Sequence, residues 1–295
     1  MPPLSTDSSV AEAISKSTGS HFDLSDSTPL SGGSISRSSR IKARDGRAFF
    51  LKQNDPAFLT FFKAEAQALE EISGTSSVSV PRLICHGLTE SSSFLVLSLF
   101  EEGIPTPASQ EKLGIQLAQL HKVKQPHFGW STDNCIGSTP QPNPRSEDWV
   151  SFYREQRLGH QLDLAQSKGK SFTGSCDLLK NLAAFFPGYL PQPALLHGDL
   201  WGGNVSVDQN GQPIVYDPAS YYGDREADLA FTYMFGGFTS HFYQAYENAY
   251  PLDPGFKIRK ILYNLYHELN HFNLFGGGYA SSSQSSINQL LDHLP

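Results

Sequence analysis

The sequence predicts an α+β fold in two lobes: a small N-terminal antiparallel sheet with one helix, then a larger, mainly helical C-terminal lobe. Three observations carry this prediction. Strand-like segments flank a Gly/Ser turn and Asp45-Gly46 between residues 30 and 51, every side chain from Phe94 to Leu97 is apolar, and helical spacing dominates after residue 107.

Residues 1–20 are rich in Ser and Thr and are expected to be loosely ordered apart from a short helix over 10–17. Residues 21–100 are assigned to the N-terminal lobe and 101–295 to the C-terminal lobe. Within the first lobe the sheet is followed by a helix over 56–72 and a buried strand over 93–99. Residues 101–107, with two prolines and a glycine, read as a connector. Beyond it Leu113, Leu117 and Leu120 mark one face of a helix, residues 149–164 form another, and the serines at 281–286 read as a solvated loop.

A chain of 295 residues, 39% hydrophobic, can bury a substantial core. Its net charge of −7, with scattered Lys and Arg, offers no electrostatic footprint for nucleic acid or an anionic membrane. A small-molecule partner fits better. No apolar run reaches membrane-spanning length, the N-terminus lacks a secretory pattern, and Cys85, Cys135 and Cys176 show no metal-type spacing. These features predict a cytoplasmic protein with buried or partly buried free thiols.

The most informative segment is LLHGDLWGGNVSVDQNGQPIVYDPA, residues 195–219. Asn210-Gly211 between alternating apolar runs predicts a two-residue hairpin turn, whose register sets Asn204 opposite Asp217. An amide oxygen beside a carboxylate suits Mg²⁺, which takes one or two protein groups and completes its shell with water and phosphate oxygens. Asp199, on the loop entering the hairpin, could accept a hydroxyl proton beside that metal. Each of the three residues alone could merely cap a turn; together, in this spacing, they point to phosphoryl transfer.

The N-terminal lobe offers an independent indication. Phe62, Glu65, Leu69 and Ile72 share one helical face, so Glu65 points toward the core and requires a partner. Lys52, ending the strand AFFLK, is the nearest candidate cation, and a Lys held by Glu can present its ammonium to nucleotide phosphates. The bland alternative is a snorkelling Lys and a surface Glu. Gly32, Gly33 and Ser34 would form a tight turn over the phosphates, and Leu97, Ser98 and Leu99 lead into the connector where backbone groups could hold an adenine edge.

These residues resemble the protein-kinase-like superfamily, in the branch of aminoglycoside phosphotransferases and choline kinases. More narrowly, LLHGDLWGGN, DPASYYGDREADLAFTYMFGGF, LYHELNHFNLFGGGY, FGW, TPQPN and EDWVSFYREQRL resemble the fructosamine/ketosamine kinase family over residues 15–279. The resemblance implies a bilobal protein-kinase-like fold and transfer of the ATP γ-phosphate to the sugar C3 hydroxyl of a ribulosamine, erythrulosamine or fructosamine. The phosphorylated adduct then leaves its amine, which on a protein amounts to deglycation. By position it implies Asp199 as proton acceptor, Asn204 and Asp217 as Mg²⁺ ligands, Lys52 and Glu65 at the phosphates and residues 97–99 as hinge. His197 and Asp228 would support the catalytic loop, and Trp201 would contribute to the acceptor pocket. The chain departs from the family in having Ser34 where a redox-active Cys can stand, Ser98 where Glu is frequent, and Arg145 where an aromatic is frequent.

Other readings compete. His267-Glu268-Leu269-Asn270-His271 fits the HExxH zinc pattern, but no third ligand follows at the expected place. Gly169-Lys170-Ser171 ends like a P-loop, yet Leu164 stands where that motif needs glycine. A different small-molecule kinase of the aminoglycoside or choline type, or a nucleotide-binding pseudokinase, would share most of the features above.

Overall fold

The computed structural model describes residues 8–30 and 35–294. The chain begins with helix α1 (Ser8–Thr18), whose Val10 and Ile14 are fully buried. The described part of the N-terminal stretch is thus ordered and longer than the expected short helix. Val10 and Ile14, one helical turn apart, dock it on the sheet, with Ala11 and Ala13 packed beside them. The sheet contains β1 (Leu24–Leu30), β2 (Arg37–Ala43) and β3 (Ala48–Asn54), with helix α2 (Leu59–Gly74) following a single 3₁₀ turn, and then β4 (Leu83–Leu88) and β5 (Ser93–Ser98). The strand order β1-β2-β3-β5-β4 is antiparallel throughout. Gly32, Gly33 and Ser34 fall between β1 and β2 and lie outside the described residues.

Alternation along β3 divides the lobe into two faces. Phe49 and Leu51 join Ile41, Ile84, Phe94 and Val96 in a core covered by α1. Phe50 packs on the opposite side with Phe62, Ala66 and Leu69 of α2, and Lys52 shares that face. Helix α2 has a second buried edge, Ala64, Ala68 and Ile72, which belongs to the core of the helical lobe. Ile72 therefore packs in a different core from Phe62, and α2 is the shared wall between the two lobes.

After the connector, Thr106 caps helix α3 (Pro107–His121) in a reciprocal bond pair with Ser109, and Leu113, Leu117 and Leu120 are buried. A short hairpin, β6 (Asn134–Ile136) with β7 (Thr139–Gln141), precedes α4 (Trp149–Tyr153), a π-helical stretch (Arg154–Gly159), α5 (His160–Ser167) and α6 (Ser175–Lys180). The strands β8 (Ala194–Leu195), β9 (Val205–Val207), β10 (Pro213–Val215) and β11 (Tyr222–Gly223) form two small ladders, β8 with β11 and β9 with β10. Helices α7 (Glu226–Thr232), α8 (Ser240–Ala249), α9 (Phe256–Phe275) and α10 (Tyr279–Leu291) complete the lobe. The serines expected in a loop belong to α10, where Ser283 and Ser286 are buried; Ser283 Oγ–H is satisfied by the Tyr279 carbonyl one turn back. Among the described residues, no helix is long and apolar enough to cross a membrane. All three cysteines are free; Cys85 and Cys135 are partly buried, but Cys176 is exposed.

Candidate active site

Lys52 reaches across the lobe boundary. Its Nζ donates to Glu65 Oε1 and to Asp217 Oδ1, each at 2.6 Å. Lys52 is only 6% exposed, and a buried charge persists only when it is paired. Burial works against the ammonium, but the Asp217 and Glu65 carboxylates outweigh it and hold its pKa above the usual lysine value. Burial also lifts the Glu65 carboxyl, with Lys52 opposing the shift. The result is a fixed cation flanked by two carboxylates from separate lobes.

Asp217 arrives there by a route the two-residue turn does not provide. The β9–β10 ladder pairs Val207 with Pro213, Ser206 with Ile214 and Val205 with Val215. Tyr216, rather than Asp217, therefore stands opposite Asn204, and its N–H donates to Asn204 O at 3.1 Å. The loop spans three residues. Gly211 N–H donates to Asp208 O, Gly211 is left-handed, and the Asp208 carboxylate accepts the N–H groups of Asn210 and Gln212. This is a type I turn closed by a glycine bulge. A one-residue slip would ordinarily point a side chain to the other face. Asp217 instead adopts φ 59°, a left-handed conformation costing a non-glycine residue about 1–2 kcal/mol, and in that conformation its carboxylate meets Lys52.

Asp199 lies on the loop before β9. Asn204 Nδ2–H donates to Asp199 Oδ2 at 2.9 Å and to Asp199 O at 2.8 Å. Burial pushes the Asp199 carboxyl up to about 7, the Asn204 bond opposing the rise and Asp217 and Asp228 reinforcing it. His197 is held neutral by burial, against the pull of Asp228. Its Nε2–H donates to Tyr216 O at 3.0 Å, and its Nδ1 accepts the Asp199 N–H at 3.3 Å. From the first turn of α7, Asp228 accepts the N–H of His197 at 2.7 Å and of Gly198 at 2.8 Å. Its Oδ2 also contacts His121 Nε2 at 3.2 Å. The loop carrying Asp199 is therefore clamped from behind.

The remaining expected residues are distributed around this centre. Leu97 is buried, while Ser98 donates its N–H to Arg82 O and accepts the Arg82 N–H on Oγ, both at 2.8 Å. The Ser98 N–H is thus engaged within the sheet. Trp201 is 37% exposed and meets Phe235 edge-on, with ring centres 5.8 Å apart. His271 extends this aromatic wall, 5.2 Å from Phe235.

The donor set suits a hard divalent cation. Asn204 directs both amide N–H bonds to Asp199, which leaves Oδ1 turned elsewhere, and only Oδ1 of Asp217 is engaged by Lys52. One amide oxygen and one carboxylate oxygen are what Mg²⁺ takes from a protein when phosphates supply the rest. The HExxH pair has other employment: His267 stacks on Phe231 with centres 3.5 Å apart, and His271 Nδ1 is 2.7 Å from His267 O. No cluster of three or more metal-ligating side chains occurs among the described residues. Lys170 lies over the Phe172 ring at 5.1 Å, without a phosphate-binding loop around it.

Several residues at the site carry no local signal in the sequence. Cys135 of β6 feels the charges of Glu65, Lys52 and Asp199, and burial pushes its thiol up to about 12. Asn134, Gln141 and Asn143 line the back of the Asp217–Ser220 bend. TPQPN was recognisable as a motif, but the role of its amides emerges only from tertiary contacts.

The chain matches the family model "Fructosamine kinase" over residues 6–293. It is 44% identical to a Synechocystis protein assigned as a ketoamine kinase, covering 96% of each chain. It is 41% identical to the chloroplastic protein-ribulosamine 3-kinase of Oryza sativa subsp. japonica, covering 88% of this chain and 77% of that one. The crystal structure of a Haemophilus somnus protein assigned as a fructosamine-3-kinase superposes with a TM-score of 0.90 at 30% identity, covering 96% of each chain.

Proposed function

The chain belongs to the fructosamine kinase family, and from that membership we propose that it transfers the γ-phosphate of ATP to the C3 hydroxyl of a ketosamine, a sugar adduct carried on an amine. The observation that carries the reading is the pairing of Asp199 with Asn204 beside the Lys52–Asp217 contact. A carboxyl raised to about 7 by burial is matched to proton abstraction near neutral pH.

Lys52, steadied by Glu65, presents its ammonium to the nucleotide phosphates. Asn204 and Asp217 would hold Mg²⁺, which when bound neutralises phosphate charge. Asp199 accepts the proton of the C3 hydroxyl while that oxygen bonds to the γ-phosphorus. The bond from phosphorus to the bridging oxygen breaks, and ADP leaves with its electron pair. Trp201 and Phe235 form the apolar wall on which the adduct is oriented. Ribulosamines, erythrulosamines and fructosamines all carry the required hydroxyl. On a protein-bound adduct the same transfer begins deglycation, in the cytoplasm that three free cysteines suit.

Incubation with ATP, Mg²⁺ and each of the three adducts tests the reading, with ADP release and the position of the new phosphate ester measured. We expect a 3-phosphate from at least one. A folded, ATP-binding sample that releases no ADP with any of them, or that esterifies a different carbon, would refute it.

A further inference from the structure

The left-handed backbone at Asp217 persists only if its surroundings hold it, and the residues immediately after it are held by a buried chain of amides. Gln141 Nε2–H donates to Ala219 O at 3.1 Å and to Asn134 Oδ1 at 2.8 Å. Asn134 Nδ2–H donates to Ser220 O at 2.8 Å. Asn143 Nδ2–H donates to Asn134 Oδ1 at 3.0 Å, and Asn143 Oδ1 accepts Arg157 Nη2–H at 2.7 Å. The Tyr266 hydroxyl donates to Gln141 Oε1 at 2.6 Å. Asn134, Gln141, Asn143, Arg157 and Tyr266 are all buried, so water is no substitute for any partner.

The chain has a polarity, and Arg157 sets it. A guanidinium only donates, so Asn143 must turn its oxygen to Arg157 and its NH₂ to Asn134. Asn134 must then turn its oxygen inward and its NH₂ to Ser220. Arg157 is fully buried, and no carboxylate pairs with it among the described residues; Tyr221 and Phe152 lie against it at 4.0 and 4.7 Å. It projects from the π-helical stretch Arg154–Gly159, a winding that often marks functional positions. At the other end, Ala219 N–H donates to His197 O at 2.9 Å, and Ala219 O lies 2.1 Å from where a Cβ on Gly198 would sit. One residue, Ala219, thus touches both the amide chain and the loop carrying Asp199.

We propose that Gln141, oriented by the Arg157–Asn143–Asn134 relay, is a positioning residue for Asp217: by gripping Ala219 it fixes the bend that aims the Asp217 carboxylate at Lys52 and the metal side of the site. This rests on the reading of Asp217 as a metal-side carboxylate. Gln141→Leu, and Gln141→Met as a closer match in shape, remove both donors. In either variant the Mg²⁺-dependent part of ADP affinity, measured calorimetrically with and without the metal, falls tenfold or more, while metal-free ADP affinity stays within twofold. Amide exchange at Ala219 in the ligand-free protein accelerates at least tenfold. Tyr266→Phe, which leaves the Gln141 donors in place, stays within threefold on both measures. Asp217→Asn run in parallel separates the two readings. If it leaves the Mg²⁺ dependence unchanged, the metal assignment fails. If it abolishes that dependence while both Gln141 variants keep theirs within twofold, with or without a lower thermal midpoint, the positioning role alone is overturned.

Discussion

Lys52 and Asp217 meet at 2.6 Å although 165 residues of chain separate them. One lies near the end of strand β3 in the small sheet, the other just past a hairpin in the helical lobe. Their contact ties the lobes at the cleft floor, one backbone bond between the lobes reinforces it, and another pins the connector beside it. Gly103 N–H of the connector donates to Val207 O at 2.8 Å, and Val215 N–H donates to Ser79 O at 2.9 Å.

Lys52→Met tests the cation. The variant keeps an unbranched apolar stem but leaves Glu65 and Asp217 without their shared counter-charge. We expect turnover to fall on the order of 10²–10³-fold, the size typical for losing one donor aimed at developing charge. KM for the ketosamine should change little. A variant within fivefold of the parent in kcat would remove Lys52 from the phosphate site.

Asp199→Asn should leave ATP binding nearly intact while slowing the reaction on the order of 10²-fold or more. The pH dependence has a defined sign. With its carboxyl raised to about 7 in the free protein, Asp199 is mostly the ionised acceptor above that pH, so kcat/KM in the parent should climb through pH 7 and then level off. Stability should move the opposite way. An acid whose folded pKa exceeds its unfolded value holds its proton more tightly when folded, so that contribution is complete below the usual aspartate pKa of 3.8 and is lost as pH rises to about 7. Thermal midpoints of the parent and Asp199→Asn, compared at pH 5 and pH 8, should diverge by several degrees in favour of the variant at pH 8. Parallel curves would contradict the shifted carboxyl.

Asp228→Ala addresses the clamp behind the catalytic loop. The change orphans the His197 and Gly198 N–H groups and removes the partner of His121 Nε2, all in a buried setting. Unsatisfied buried donors cost about 1–3 kcal/mol each, so urea unfolding should show a loss on the order of 3–5 kcal/mol. Activity should fall as well, because the same loop carries Asp199. A loss under about 1 kcal/mol would mean that water or another group takes over the clamp.

What the sequence made legible follows from locality. Phe94 to Leu97, the α2 face of Phe62, Glu65 and Leu69, and the two runs that become β9 and β10 are patterns of neighbours, and these elements form where expected, except that Ile72 joins the core of the helical lobe. The register differs by one residue from that of a two-residue Asn210-Gly211 turn. The deciding group was Asp208, whose carboxylate gathers the Asn210 and Gln212 N–H groups and lengthens the loop. Asp217 still reached Lys52, through a left-handed backbone that no alternation of apolar residues encodes. Asn134, Gln141, Asn143 and Arg157 were illegible for a different reason. Asn134 and Gln141 reach carbonyls 86 and 78 residues away, Arg157 meets Asn143 only because the π-helical stretch folds back on the loop before it, and a buried guanidinium without a carboxylate has no periodic signature.

Gly198→Ala probes the closest backbone approach in the catalytic loop. Gly198 has φ 81°, and an added Cβ would come within 2.1 Å of Ala219 O, far inside contact distance. The obstacle is backbone, so no side-chain rotation relieves it, and left-handed strain adds about 1–2 kcal/mol. Either the Asp199 loop or the Asp217–Ser220 bend must retreat, and each carries a carboxylate the reaction needs. We expect kcat to fall at least 10²-fold, since an ångström of misplacement can cost that much, with far-ultraviolet circular dichroism unchanged because the helices lie outside the strained contact. Near-parental kcat would show that the two loops can separate without cost, and the juxtaposition of Asp199 with Asp217 would then not be what drives the chemistry.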